Sequence, residues 1–334
     1  MQSAKALKSS ATCSTCNRPS TSRANVKNNS AWCARRNKLS KLSSSSPAWA
    51  NQANLSVEGV ENDETCSHST YNIEMTINWV LERVEESAST NEDLMTRWRQ
   101  GLLWEPVARL ALKQTAGKGR LGRNWVSTPH ETLTFSVAYP FKKPINALSG
   151  LSLACGLAVI RGISQATNLS LSELHQLGIS LKWPNDILLN HHKLAGMLIE
   201  GGQLRPEDPT WLIIGIGINI SNTQQIDQQI GRSIGTLSHI LPNKDLYADL
   251  LWLNLIKELG IVIKQFEQGS FADFHDEWNQ WDAYKNEICQ IHQNDKVQFE
   301  GISKGVDSEG YLILETPTGI KKIISGDVSL RSNS

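Results

Sequence analysis

The chain has 334 residues, of which 40% are hydrophobic and 20% charged, enough for about two domains with cores of their own. Formal net charge is zero, yet residues 1–50 hold nine Lys/Arg and no Asp or Glu, which leaves 24 basic and 33 acidic side chains in the other 284 residues. That balance excludes a globally basic nucleic-acid binder, and no membrane span is expected, because the apolar run 212–220 is too short and 250–263 contains Lys257 and Glu258.

Residues 1–70 are rich in Ser, Asn, Thr, Lys and Arg and show no apolar period of 3.6 or 2, so they are expected to form a disordered basic tail. An over-extended reading frame would look the same. An organellar targeting peptide shares the composition, but the amphipathic period is missing. Cys13-x-x-Cys16 with Cys33 and Cys66 lacks the paired spacing of a metal site. Cys155 and Cys289 sit alone in apolar segments, residues 1–10 lack an apolar signal core, and a reducing cytoplasm is the expected setting.

Patterned sequence begins near Trp79, with a strand predicted over 79–86. A helix comes next, since Ser89 with Glu92 and Thr90 with Asp93 both have capping-box spacing, and Leu94, Met95, Trp98 and Leu102 supply its apolar face. Residues 107–114 alternate, with Ala108, Leu110, Leu112 and Gln114 on one side. After a Gly-rich loop, Leu133, Phe135, Val137 and Tyr139 mark another strand, and 148–166 reads as a mostly buried helix enclosing Cys155. Strands are predicted at 179–183, 186–190 and 193–200, the last two joined at His191-His192, and at 211–220. Helices are predicted at 246–267 and 271–281. From Glu287 on, short strands broken by turn residues indicate a small all-β barrel of about 45 residues. The fold class is thus α/β (α+β), a mixed sheet with flanking helices over 71–284, with a small β domain over 285–334.

Three segments can carry chemistry. Gly117-Lys118-Gly119-Arg120-Leu121-Gly122-Arg123 sets three cations among three glycines, which suits a polyanion such as a nucleotide phosphate. It contains GxGxxG formally, but Asn124-Trp125-Val126-Ser127-Thr128-Pro129 opens no helix, so a dinucleotide site is disfavoured; a basic surface loop stays open. In Lys182-Trp183-Pro184-Asn185-Asp186, proline bends the chain and projects Asn185 and Asp186 near Lys193, either as a cleft edge or as a surface ion pair. Gly215-Ile216-Gly217-Ile218-Asn219 strips side chains from one strand face, for a ligand or for close packing, and ends in an amide able to read an adenine edge. Gln114, Ser89 and Thr90 are neutral groups suited to an uncharged polar ligand, or simply to capping.

Taken in order, Glu86-Ser87-Ala88-Ser89-Thr90-Asn91, the stretch from Gln114 through Gly117, Arg120 and Trp125, the Lys182–Asp186 segment, Lys193-Leu194-Ala195-Gly196 and Gly215–Asn219 resemble biotin protein ligases, the biotin–[acetyl-CoA carboxylase] ligase family. Ser325-Gly326-Asp327-Val328-Ser329-Leu330-Arg331 resembles that family's C-terminal SH3-like barrel. The resemblance implies ATP-dependent formation of biotinyl-5′-AMP and transfer of biotin to a lysine of a biotin carboxyl carrier protein. It implies biotin binding by Ser89, Thr90, Asn91, Gln114, Gly117, Lys118, Gly119, Arg120, Lys193 and Gly196. ATP or adenylate would meet Lys118, Arg120, Arg123, Trp125, Asn185, Asn219 and Arg331. Arg120, Lys193 and Asp186 would be catalytic, with Asp186 on Mg²⁺ directly or through water. A monomer or homodimer is expected.

The sequence departs from the family at three places. Lys118 stands where relatives often have Arg, losing the planar fork. No N-terminal helix-turn-helix is legible, so no DNA binding is expected. No aromatic residue occurs in 224–237 to cover an adenine, leaving Ile234 as the nearest apolar residue. The alternatives are a lipoate ligase or octanoyltransferase of the same superfamily, and a ligand-sensing transcriptional regulator.

Overall fold

The computed structural model describes residues 76–221, 233–241, 247–293, 296–324 and 328–332, with the backbone alone at 293 and 328–332. The expected tail and its four cysteines Cys13, Cys16, Cys33 and Cys66 lie outside the described residues, as do 222–232 and the side chain of Arg331.

Two strands flanking a helix give a βαβ unit: β1 (Val80–Ser87), α1 (Thr90–Arg99) and β2 (Val107–Gln114). β1 and β2 pair in parallel from Val80↔Val107 to Ser87↔Gln114, which brings Gln114 level with the start of α1. The crossover through α1 is what a parallel pair requires. Among the described residues, every other strand pair of this sheet is antiparallel. With β5 (Thr132–Phe141), β6 (Ile179–Lys182), β7 (Asp186–Leu189), β8 (His192–Gly202) and β9 (Thr210–Asn219), the seven-stranded mixed sheet runs β1-β2-β5-β9-β8-β7-β6. The Gly-rich loop folds as a two-rung ladder of β3 (Gly117–Lys118) and β4 (Asn124–Trp125) around a single 3-10 turn at Arg120–Gly122.

Each sheet face is closed by helices. On one, Leu94 and Met95 of α1 meet Val107, Ala138, Trp211 and Ile213. On the other lies α2 (Leu151–Thr167), whose Gly156 approaches Leu181 and Met197; α4 (Ala248–Gln268) packs along α2. Burying these apolar stripes is the main favourable term, about 25 cal/mol per Å² of apolar surface.

Several expected boundaries move. The capping boxes at Ser89 and Thr90 do not form. Tertiary partners take those acids instead: Glu92 binds Lys118 and Arg99, and Asp93 binds Ser87 and Arg109. Leu102 lies beyond the end of α1 and is 38% exposed, so it is no part of the apolar face. The helix expected from 148 starts at Leu151, because Gly150 turns the chain at φ 78°. A helix that went unpredicted, α3 (Leu171–Gln176), does carry a capping box, Ser170 with Glu173. The β7–β8 turn falls at Asn190-His191, with φ of 48° and 67°, one residue earlier than expected. The segment 271–281 divides into a 3-10 turn and α5 (His275–Trp281).

The C-terminal strands β10 (Ile288–Gln293), β11 (Lys296–Val306), β12 (Leu312–Thr316), β13 (Gly319–Ile323) and β14 (Val328–Ser332) make an antiparallel sheet in the order β13-β12-β11-β10-β14. It is fastened to the seven-stranded part by hydrogen bonds. Trp183, 1% exposed, donates Nε1–H to Gly310 O at 3.1 Å. Ser149 Oγ donates to Glu309 O at 2.8 Å, and Asn279 Nδ2 to Val306 O at 3.1 Å. Among the described residues no helix is long and apolar enough to cross a membrane.

Candidate active site

The N-terminus of α1, the β3–β4 loop and the ends of β5, β7, β8 and β9 surround a cleft of about 450 Å³, part of it open to solvent. The sheet supplies its floor. Gly215 and Gly217 stand at alternate positions on the face turned to α1. A Cβ at 215 would collide with Asn91 Oδ1, and one at 217 with the ring of Trp125. The space these glycines leave is filled by protein side chains that wall the cleft, so they serve close packing first.

A buried polar chain lies beneath α1. Gln114 Oε1 accepts the Thr90 backbone N–H at 2.7 Å. Thr90 Oγ1 is 2.7 Å from Ser136 Oγ, which donates to Asn91 Oδ1 at 2.7 Å. Asn91 Nδ2 donates to Glu200 Oε2 at 2.9 Å. Thr90, Asn91 and Ser136 are all buried, so these bonds replace lost hydration. The cleft is thereby neutral and polar at this end.

Cations gather at the other end. Lys193 Nζ stands 2.6 Å from Asp186 Oδ1 and 5.8 Å from the centre of the Trp125 ring. Arg120 Nη1 donates to Asn185 Oδ1 at 3.2 Å, and Asn185 Nδ2 donates to Met197 O at 2.6 Å, which ties the loop to the β6–β7 turn. Lys118 Nζ binds Glu92, and that ammonium holds the Glu92 carboxyl below its usual range.

Of the residues singled out from sequence, Ser89, Thr90, Asn91, Gln114, Lys118, Gly119, Arg120, Trp125, Asn185, Lys193 and Gly196 line this cleft. Gly117 lies just behind, against Gln114 Nε2 and Trp125, and Asp186 flanks the cleft through Lys193. Two others are not brought there. Arg123 is exposed, and its carbonyl accepts from Gly119 N to close the loop. Asn219 is 4% exposed and gives its Nδ2 to Lys193 O and Gly235 O, at 3.0 and 3.2 Å, so its donors fix backbone and are not offered to a base. Ile234 is 5% exposed and does not line the cleft.

Thr134, Phe135, Ser136, Met197, Leu198 and Ile216 line it without having been anticipated. Ser136 had a signal: it is a lone hydroxyl between Phe135 and Val137 in an apolar strand. The aliphatic residues had none, since nothing separates a cleft wall from a core position in sequence.

Residues 83–219 match the biotin/lipoate A/B protein ligase family, and residues 286–331 match the biotin protein ligase C-terminal domain. The bifunctional ligase/repressor BirA of Escherichia coli is 33% identical over 247 residues, 73% of this chain and 72% of that protein. The biotin–[acetyl-CoA-carboxylase] ligase of Mycobacterium tuberculosis is 29% identical over 255 residues, 74% of this chain and 88% of that one. In three dimensions the biotin protein ligase of Aquifex aeolicus, solved with biotin and ATP, superposes with a TM-score of 0.62 at 31% identity, covering 76% of this chain and 99% of the other. With both domains matched and a relative 33% identical over 73% of its length, the chain belongs to the biotin protein ligase family.

Proposed function

We propose that the cleft joins biotin to a lysine of a biotin carboxyl carrier protein in two half-reactions, with biotin and ATP as substrates. In the first, a biotin carboxylate oxygen attacks the α-phosphorus of ATP, the bond to the β-phosphate bridge breaks and pyrophosphate leaves. In the second, the lysine ε-amine attacks the acyl carbon of biotinyl-5′-AMP, loses a proton and displaces AMP. The observation that carries this reading is the polarity of the cleft: neutral hydrogen-bonding groups at one end and Arg120 with Lys193 at the other.

Biotin needs both ends. Its ureido ring carries N–H donors and one carbonyl, which Ser89, Thr90 and Gln114 can satisfy without burying an ion. Its carboxylate must approach a triphosphate of like charge. Lys193 and Arg120, with Lys118 nearby, offset that repulsion and stabilise charge growing at the α-phosphate. Asn91 holds the α1 end of the wall, Gly117, Gly119 and Gly196 let backbone approach the ligand, Trp125 covers it and Asn185 anchors Arg120. Arg123 and Arg331 remain assigned to the nucleotide side; Asn219 supports Lys193 from behind.

Mg²⁺ held by nucleotide phosphates needs one or two carboxylates. Asp186 fits that need: its carboxylate stands at the cleft edge, and its one charged partner among the described residues is the Lys193 ammonium, 2.6 Å from Oδ1. When bound, the ion neutralises phosphate charge and polarises the α-phosphoryl group.

The domain limits we assign are a tail over 1–70, the biotin- and ATP-binding domain over 71–284 and the SH3-like domain over 285–334. We assign no operator binding, because 1–70 lack a helical apolar period, and a cytoplasmic monomer or homodimer. The test is intact-mass analysis of a carrier domain incubated with this protein, biotin and Mg·ATP, beside reactions offering lipoate or octanoate. A single ATP-dependent biotinyl adduct supports the reading, and lipoyl transfer without biotinyl transfer overturns it.

A further inference from the structure

Ser89 opens α1, yet its side chain makes no capping hydrogen bond, although a serine in that place ordinarily fixes the first turn through its own hydroxyl. The turn is held from behind instead. Asp93, in the first turn of α1, accepts the Ser87 hydroxyl on Oδ2 at 2.7 Å and the Arg109 Nε–H on the same oxygen at 2.8 Å. Its backbone N–H donates to Ser89 O at 3.0 Å. One residue thus ties the end of β1, the start of α1 and, through Arg109, strand β2. Arg109 is itself fixed. Its Nη1 donates to Glu82 Oε2 at 2.8 Å, and Arg97, in the last turn of α1, donates to Glu82 Oε1 at 2.8 Å. The Arg109 guanidinium therefore spans two carboxylates through separate nitrogens, which a point-like ammonium would do poorly. Ser89, its hydroxyl not spent on the helix, stands on the cleft wall beside Thr90 and Asn91.

We propose that Asp93, held by Arg109, is a positioning residue that sets the β1–α1 turn so that Ser89 meets the ureido ring of biotin. The inference deepens the proposed function and rests on it. Neither Asp93 nor Arg109 lines the cleft, so their effect passes through the turn. A hydrogen bond weakens steeply as its partners tilt or draw apart. A turn cut loose from Asp93 therefore costs biotin the Ser89 contact. Arg120 and Lys193 stand on the β3–β4 loop and on β8, and among the described residues Asp93 makes no hydrogen bond to either segment. The nucleotide end of the cleft should feel the change little.

The test is steady-state adenylate formation, followed by pyrophosphate release, with biotin and ATP varied in turn. Asp93→Ala should raise the KM for biotin about tenfold, the scale of one hydrogen bond, with kcat and the KM for ATP unchanged. Asp93→Asn keeps an acceptor for Ser87 and Arg109 and should recover most of the loss. Arg109→Gln should raise the biotin KM likewise, and adding Asp93→Ala to it should cost little more, because the two residues act as one unit. Arg97→Gln breaks an ion pair at the far end of the same helix and should leave the biotin KM where it was. A biotin KM unchanged in Asp93→Ala overturns the proposal whatever happens to kcat, since fewer folded molecules lower the apparent kcat without moving KM. An equal rise in Arg97→Gln overturns it too, by making the effect one of helix stability, as do losses at Asp93 and Arg109 that multiply. If the unaltered protein forms no biotinyl adenylate, the functional reading is overturned and this inference with it, before any variant is compared.

Discussion

Lys193 and Asp186 face each other across the β7–β8 hairpin, Nζ to Oδ1 at 2.6 Å, each side chain 22–23% exposed. The hairpin brings them together: Asp186 pairs with Gly196, and Lys193 with Leu188. A part-exposed pair of this kind adds only about 0–1 kcal/mol to stability. Its value lies in where it holds an ammonium. Lys193→Ala should lower adenylate formation by about 10²–10³-fold while leaving the melting temperature almost unchanged. Pyrophosphate release and a thermal melt read the two quantities side by side. A loss of activity explained by unfolding would contradict the role given to Lys193.

The ring of Trp125 occupies the place a Cβ at 217 would take. Gly217→Ala must displace an indole that is braced by its own strand and cannot swing aside like a flexible chain end. Overpacking of this sort costs about 1–3 kcal/mol. The expected outcome is a weakened KM for biotin as the wall shifts, with a smaller change in KM for ATP. Wild-type constants for both substrates would show that the wall has room to spare.

Burial pushes the Asp282 carboxyl up to about 6 from the usual 3.8, although the Tyr284 N–H donates to Oδ1 at 3.0 Å. Oδ2 is buried without a hydrogen bond. A carboxyl with a higher pKa folded than unfolded favours the fold fully below about pH 4, and that contribution is lost as pH rises through 6. Asp282→Asn should therefore leave stability near pH 4 unaltered and raise it at pH 8 by up to about 3 kcal/mol. Urea titrations at the two pH values measure the difference. A gain of equal size at both would point to packing and not to charge.

Cys155 is wholly buried in α2, its thiol pushed up to about 12, and burial likewise lifts Cys289 to about 11. Thiolate is the reactive form. In the native protein at pH 8, both should stay unalkylated by iodoacetamide over an hour and become modified in urea. Peptide mapping by mass spectrometry reads each site. Rapid native labelling of Cys155 would mean that α2 opens far more often than its packing against α4 implies.

Much of this architecture can be read from residue order. Alternation in 107–114 and 133–139 marks two central strands, because side chains of period two must face a core. The clustering of Lys193, Asp186 and Asn185 comes from Pro184 and the short hairpin. Pairing partners are another matter. Nothing near Ser87 shows that β1 lies parallel to β2, a relation made by α1 packing across both. The capping boxes at Ser89 and Thr90 were plausible locally, yet Arg109 and Lys118, distant in sequence, won the acids. Glu200 reads as an ordinary strand-end charge until the fold sets it behind Asn91.

The hydrogen bond from Trp183 to Gly310 O joins the C-terminal sheet to the turn that carries Asn185 and Asp186. A cut at 285 would strand a buried indole N–H and bare the docking face beside Ser149 and Asn279. The last fifty residues are thus a buttress, and a truncated catalytic half is a different object from the enzyme. Screens or engineering that trim this chain to its pocket would be probing a turn with its keystone removed.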